Sequence, residues 1–157
     1  MSALLPALHL LAKVLMLYAL AFSLPLLASL LLDDGIFRIW KQSMLATFAA
    51  GAVAWLLTRR HKRELHTRDG FVLVVLIWVT MPLVSTLPLL LGIPGLGFTD
   101  AYFEATSGLT ATGATALSGL DALPPSLNIW RTEMHWIGGM GVIVLVVAVL
   151  PMLGVGG

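Results

Sequence analysis

The chain is 157 residues long, 59% hydrophobic and only 11% charged, with a formal net charge of +1 and a mean hydropathy of +0.96. A soluble domain carries about a quarter charged residues, so this composition cannot cover a water-facing surface and places the chain in a membrane. The absence of cysteine excludes disulfides and thiolate metal sites.

A spanning helix needs about 20 mostly apolar residues at a rise of about 1.5 Å each. Four segments approach that length: residues 6–32, 43–58, 71–91 and 128–153. The first is too long for a signal-peptide core, carries Lys13 in its first half and shows no small-residue cleavage site before a soluble domain; it reads as a retained helix. The connection 33–42 holds Arg38 and Lys41. Between the second and third segments, Arg59, Arg60, Lys62, Arg63 and Arg68 crowd into ten residues. A basic cluster can mark a nucleic-acid patch, but this one lies between two apolar runs and reads as a cytoplasmic loop. No nucleic-acid partner is expected.

Orientation follows from that cluster. The loop 59–68 and the N-terminus face the cytoplasm, and residues 92–127 face outside. No Lys or Arg occurs between Asp69 and Trp130, as an outer connection requires. The fourth segment returns the chain to the cytoplasm. Pro25, Pro82, Pro88 and Pro151 fall within or near apolar segments, where neighbouring helices can satisfy the freed backbone groups. Gly35 and Gly70 mark segment boundaries. Trp40, Trp55, Trp130 and Trp136 are expected as interfacial anchors, and Trp78 as packed between helices.

The outer connection carries the chemistry. Residues 98–109, FTDAYFEATSGL, can form a helix of about three turns. Thr99 or Asp100 can cap it, and Asp100 and Glu104 suit its positive end. Residues 99–109 reach only about 16 Å, roughly half a bilayer, so the helix is either interfacial or re-entrant. Directly after it come Leu109-Thr110-Ala111-Thr112-Gly113-Ala114-Thr115-Ala116, small and uncharged. Irregular backbone at membrane depth must be buried in protein or line a water-filled path. A potassium filter has this anatomy: an extended segment whose carbonyls replace the hydration shell, at the negative end of a half-helix. Glycine at 113 lets a carbonyl point inward at angles that a Cβ disfavours. Thr-x-Thr-Gly alone does not separate a filter from a disordered outer loop; its place after a half-length helix, between two opposed spans, favours the filter.

The other polar residues have blander readings beside the functional ones. Asp100, Glu104 and Asp121 either form an acidic outer vestibule or cap and solvate; Asp121 reads as loop solvation, and Glu104 stands level between the two. Arg131 and Glu133 fit snorkelling or a local ion pair, and His135 a satisfied interfacial histidine. Without a ligand set at metal spacing, no metal beyond potassium is expected. Gly138-Gly139-Met140-Gly141 offers close helix contact, with neither the strand before it nor the Lys-Ser/Thr after it that a phosphate loop needs. Enzyme motifs are absent, so catalysis is not expected.

Two strings carry a family resemblance. Ser107-Gly108-Leu109-Thr110-Ala111-Thr112-Gly113-Ala114-Thr115 resembles the first filter of the membrane subunit of Trk-type potassium uptake systems. His135-Trp136-Ile137-Gly138-Gly139-Met140-Gly141-Val142-Ile143-Val144-Leu145, running on from Leu150 to Gly157, is similar to its following helix. The likeness covers essentially the whole chain, including Arg68-Asp69-Gly70-Phe71. It implies an all-α integral membrane fold of four transmembrane helices, with a re-entrant pore helix and filter loop between the third and fourth. Residues 1–69 would hold two leading helices and the cytoplasmic loop, and residues 70–157 the first helix–pore-loop–helix repeat. It further implies that Thr110, Ala111, Thr112 and Gly113 supply filter carbonyls to potassium, the transported substrate, with no cofactor. The implied partners are membrane lipid, the remaining pore repeats or further copies, a second subunit in a homodimer and a cytoplasmic nucleotide-binding regulatory subunit. The implied location is the cytoplasmic membrane, with channel-like uptake or symport as the activity. In two respects the chain departs from the family: Ala111 replaces a frequent threonine, and one repeat is present where the family has four. The alternative is therefore a split, non-conducting piece with an assembly role only.

Overall fold

A computed structural model describes residues 4–60 and 66–152. Lys62 and Arg63 of the basic loop, and the tail 153–157, lie outside the described residues. The described elements are all helical: α1 Leu4–Tyr18, a 3-10 turn Ala19–Phe22, α2 Ser23–Leu32, α3 Phe37–Thr58, α4 Thr67–Gly92, α5 Phe98–Leu109, a 3-10 turn Leu120–Ala122 and α6 Pro125–Met152. Two stretches are long and apolar enough by themselves to cross a membrane, Leu4–Leu32 and Arg68–Gly92.

Leu4–Leu32 is one rod with a tightened turn in its middle, just before Pro25, which brings no N–H and whose ring crowds the carbonyl of Ala21. The rod ends at Asp33, in the left-handed region at φ 48°. Helix α3 begins at Phe37 rather than Ser43, so Arg38 and Lys41 lie on its first turns and not in a loop. It packs along α1, and its Ser43, Thr47 and Gly51, spaced by four, are all buried. A Cβ on Gly51 would stand 2.9 Å from the Ala12 carbonyl oxygen, the close backbone approach that small residues permit. At the far end His9 Nδ1 and Thr58 Oγ1 are 3.0 Å apart.

Helix α4 starts with a capping box: the His66 N–H donates to Asp69 Oδ2 at 3.0 Å. Gly70 therefore lies inside the first turn and marks no boundary. Pro82 and Pro88 interrupt the ladder of α4, and carbonyls beside the breaks accept side-chain donors. Ser85 Oγ donates to Met81 O at 2.7 Å, Thr86 Oγ1 to Leu83 O at 2.6 Å, and Tyr102 Oη to Val79 O at 3.2 Å. After Ile93 the chain turns at Pro94-Gly95 and continues as α5.

Trp40 and Trp130 are not interfacial anchors. Both are 0% exposed and form the core with Tyr18, Phe22, Leu89, Leu127 and Met134. Phe22 stacks on Trp130 at 4.6 Å between ring centroids. A buried indole needs an acceptor: Trp40 Nε1 donates to Ser126 Oγ at 2.8 Å and Trp130 Nε1 to Ser85 O at 3.3 Å. Trp78 packs against this core, and Trp136 is exposed. The loop after α2 is fastened to the start of α6, where Asp34 Oδ2 accepts the Ser126 N–H at 3.0 Å; Pro125 before it has no N–H to offer. Asp34 also accepts from Ser29 Oγ. Burial pushes the Asp34 carboxyl up, but hydrogen bonds from Ser126, Ser29 and Ile36 outweigh it and hold the group below the usual carboxylate range. The two leading helices thus buttress α6, the helix that follows the 93–124 connection. Phe71, Val75, Val79 and Leu83 leave an apolar stripe exposed along α4, a surface that lipid or further protein must cover.

Candidate functional site

Helix α5 is short and sits between α4 and α6. Its N-cap is Gly97, with no side-chain cap; neither Thr99 nor Asp100 takes that role. Ala101, Ala105 and Leu109 bury its apolar face. Its C-terminal end is wedged onto α6: a Cβ at Gly108 would meet Met134 Cβ at 2.9 Å, and one at Gly138 would meet the Leu109 carbonyl oxygen at 2.1 Å. Only Gly138 of the Gly138-Gly139-Met140-Gly141 run is needed for this crossing, since nothing lies within 4 Å of a Cβ at Gly139 or Gly141.

The helix stops by a Schellman turn. The Thr112 N–H donates to Ser107 O and the Ala111 N–H to Gly108 O, each at 2.9 Å, with Ala111 left-handed at φ 53°. This is the position where glycine is usual, and a residue with a Cβ there costs about 1–2 kcal/mol. Gly113 is left-handed as well, at φ 80°. Residues 110–116 are all exposed. Thr110 Oγ1 and Thr112 Oγ1 lie 2.7 Å apart.

Because the segment doubles back along the helix it has just left, successive α5 residues meet successive loop residues in reverse order. Ser107 Oγ donates to Ala114 O at 2.6 Å. One turn earlier, Glu104 accepts Thr115 Oγ1 at 2.9 Å and the Ala116 N–H at 3.1 Å, both on Oε2. Arg131 Nε, from α6, closes the group with a 2.7 Å ion pair to Glu104 Oε1. Glu104 is 2% exposed and its carboxylate is turned inward, a geometry that favours a structural post over an outer vestibule group. Asp100 is exposed in the first turn of α5. His135 Nδ1 is satisfied by Arg131 O at 2.8 Å. Sequence reasoning left Ser107, Thr115 and Arg131 without these roles. The spacing of Glu104 and Ser107 by one helical turn was the available signal, whereas no local pattern names Arg131 as the partner.

Among the described residues, elements that are all helical, two apolar stretches of membrane length and a short helix wedged between α4 and α6 fit a membrane protein. Its fold matches the crystal structure of the potassium transporter TrkH from Vibrio parahaemolyticus with a TM-score of 0.89 and 41% identity, over 98% of this chain and 33% of that one. The TrkH family, described as cation transport protein, matches residues 36–157. The chain belongs to that family, one of transporters and not of enzymes. Among its relatives, the Trk system potassium uptake protein TrkH of Halomonas elongata is 44% identical over 96% of this chain and 31% of its own length. Its counterpart in Escherichia coli is 47% identical over 85% and 28%, and the TrkG protein of Escherichia coli 37% over 95% and 31%. The chain spans about a third of the length of these relatives.

Proposed function

We propose that this chain forms the first section of the membrane subunit of a Trk-type potassium uptake system, in the cytoplasmic membrane. Residues 1–69 supply two leading helices, residues 70–157 the first helix–pore-loop–helix repeat, and both termini are cytoplasmic. Four helices span: Leu4–Leu32, α3, α4 and α6. The carbonyls of Thr110, Ala111, Thr112 and Gly113 replace part of the hydration shell of a potassium ion. The observation that carries this reading is the end of α5, where a half-length helix hands the chain to an exposed, uncharged segment with left-handed backbone at Ala111 and Gly113. Irregular backbone of that kind is costly against lipid, so conduction requires the other repeats or further copies to close the pore around it. The wider assembly, a homodimer with a cytoplasmic nucleotide-binding regulator, belongs to the same proposal.

Gly113→Val tests it in a complete transporter carrying this segment. A β-branched residue is strongly disfavoured at φ 80°, so potassium-dependent growth and rubidium uptake fall severely at unchanged membrane abundance. Thr112→Ser keeps the hydroxyl pairing with Thr110 and is milder. Gly139→Ala, with nothing within 4 Å of its Cβ, is the control. Gly119 is a poor control because it too is left-handed, at φ 64°. Normal uptake by the Gly113→Val variant defeats the filter assignment.

A further inference from the structure

Behind residues 115 and 116 the polar contacts centre on one carboxylate. Glu104, buried among α5, α6 and the loop, holds Thr115 Oγ1 and the Ala116 N–H, and is itself held by Arg131. The same guanidinium reaches Asn128 Oδ1 and Thr115 Oγ1, each at 3.4 Å, and Asn128 Nδ2 donates to Leu120 O at 2.8 Å. The first turns of α6 therefore fasten both the outer limb of the loop and its return path. Ser107 Oγ turns the Ala114 carbonyl back toward α5, which withdraws that oxygen from the exposed side.

We propose that Glu104, fixed by Arg131, is a positioning residue for the outer limb of the filter, and that discrimination between potassium and sodium depends on it. The inference rests on the filter reading above. The physical reason is geometric. Coordinating carbonyls distinguish ions by their number, spacing and field, and the limb that follows the 110–113 carbonyls is anchored at Thr115 Oγ1 and the Ala116 N–H by this carboxylate. Without Arg131 the carboxylate is a buried charge with no counter-charge, which favours rearrangement or hydration of the site. A limb that relaxes can accommodate the smaller ion.

The test uses a complete transporter carrying this segment, with Glu104→Gln, Arg131→Gln and the double variant. The readout is the ratio of rubidium to sodium uptake, each normalised to membrane abundance. Arg131→Gln is expected to lower the ratio by about tenfold. Glu104→Gln lowers it less, because the amide oxygen still accepts the Ala116 N–H. The double variant falls nearer to Glu104→Gln than to Arg131→Gln, since it leaves no uncompensated carboxylate. Should Arg131→Gln fail to reach the membrane, the other two variants carry the comparison. Unchanged ratios in Glu104→Gln and the double variant, with abundance normal or reduced, overturn the inference and leave the pair a purely structural tie. Gly113→Val run beside them separates the two ideas: if it also transports normally, the filter reading itself has failed.

Discussion

Gly138→Ala adds a single methyl at the crossing of α5 and α6. The new Cβ would stand 2.1 Å from the Leu109 carbonyl oxygen, 2.5 Å from its carbonyl carbon and 2.8 Å from its Cα. Ordinary contact begins near about 3.5 Å, so α5 must retreat by more than about 1 Å. A flexible side chain could swing aside, but these atoms are backbone at the last residue of α5, directly before Thr110. Overpacking ordinarily costs about 1–3 kcal/mol, and an obstacle of backbone puts this substitution at or above about 3 kcal/mol. Gly139→Ala meets nothing within 4 Å and gains slightly from the better helix propensity of alanine. Purified variants in detergent, melted side by side with the parent and followed by retention of the monodisperse species on size exclusion, give the stability comparison. Gly138→Ala should melt well below the parent and Gly139→Ala at or just above it. Equal melting of the two variants would falsify the wedge between α5 and α6.

Asp34→Ala removes an acceptor from the N-terminus of α6 and should cost about 0.5–2 kcal/mol, the usual range for a lost cap; thermal melting at neutral pH measures it. The native Asp34 carboxyl is held below its ordinary range, so its contribution is complete above that range and is lost as pH falls through it to the lowered native value. The gap between parent and Asp34→Ala should accordingly close in acid, and a gap that persists unchanged there refutes the assignment. The orientation is tested by cysteine labelling, which no native cysteine disturbs. On the proposed orientation, a cysteine at Arg63 should resist an impermeant reagent applied to intact cells, whereas one at Asp121, exposed in the connection between α5 and α6, should react.

Local features were legible in the sequence because their causes are local. Too few charges for a water-facing surface, apolar runs of membrane length and a half-length helix followed by small residues can each be read without knowing what packs against what. The order of elements from Leu4 to Met152 follows from those signals. Boundaries were less legible: α3 begins at Phe37 because Arg38 and Lys41 are compatible with a first helical turn, which hydropathy alone does not register.

Tertiary structure decided which side chains meet. Trp40 and Trp130 look like interfacial anchors by position, yet the packing of α3 on α1 and of α6 on α2 and α4 buries both and supplies acceptors for their N–H groups from Ser126 and Ser85. Gly138 and Gly139 are equivalent as letters, and only the angle at which α5 meets α6 makes one indispensable to close contact and leaves the other free. Glu104 and Arg131 stand 27 positions apart in the chain. Their pairing depends on the loop folding back along α5, a long-range closure that no spacing rule within a helix can encode.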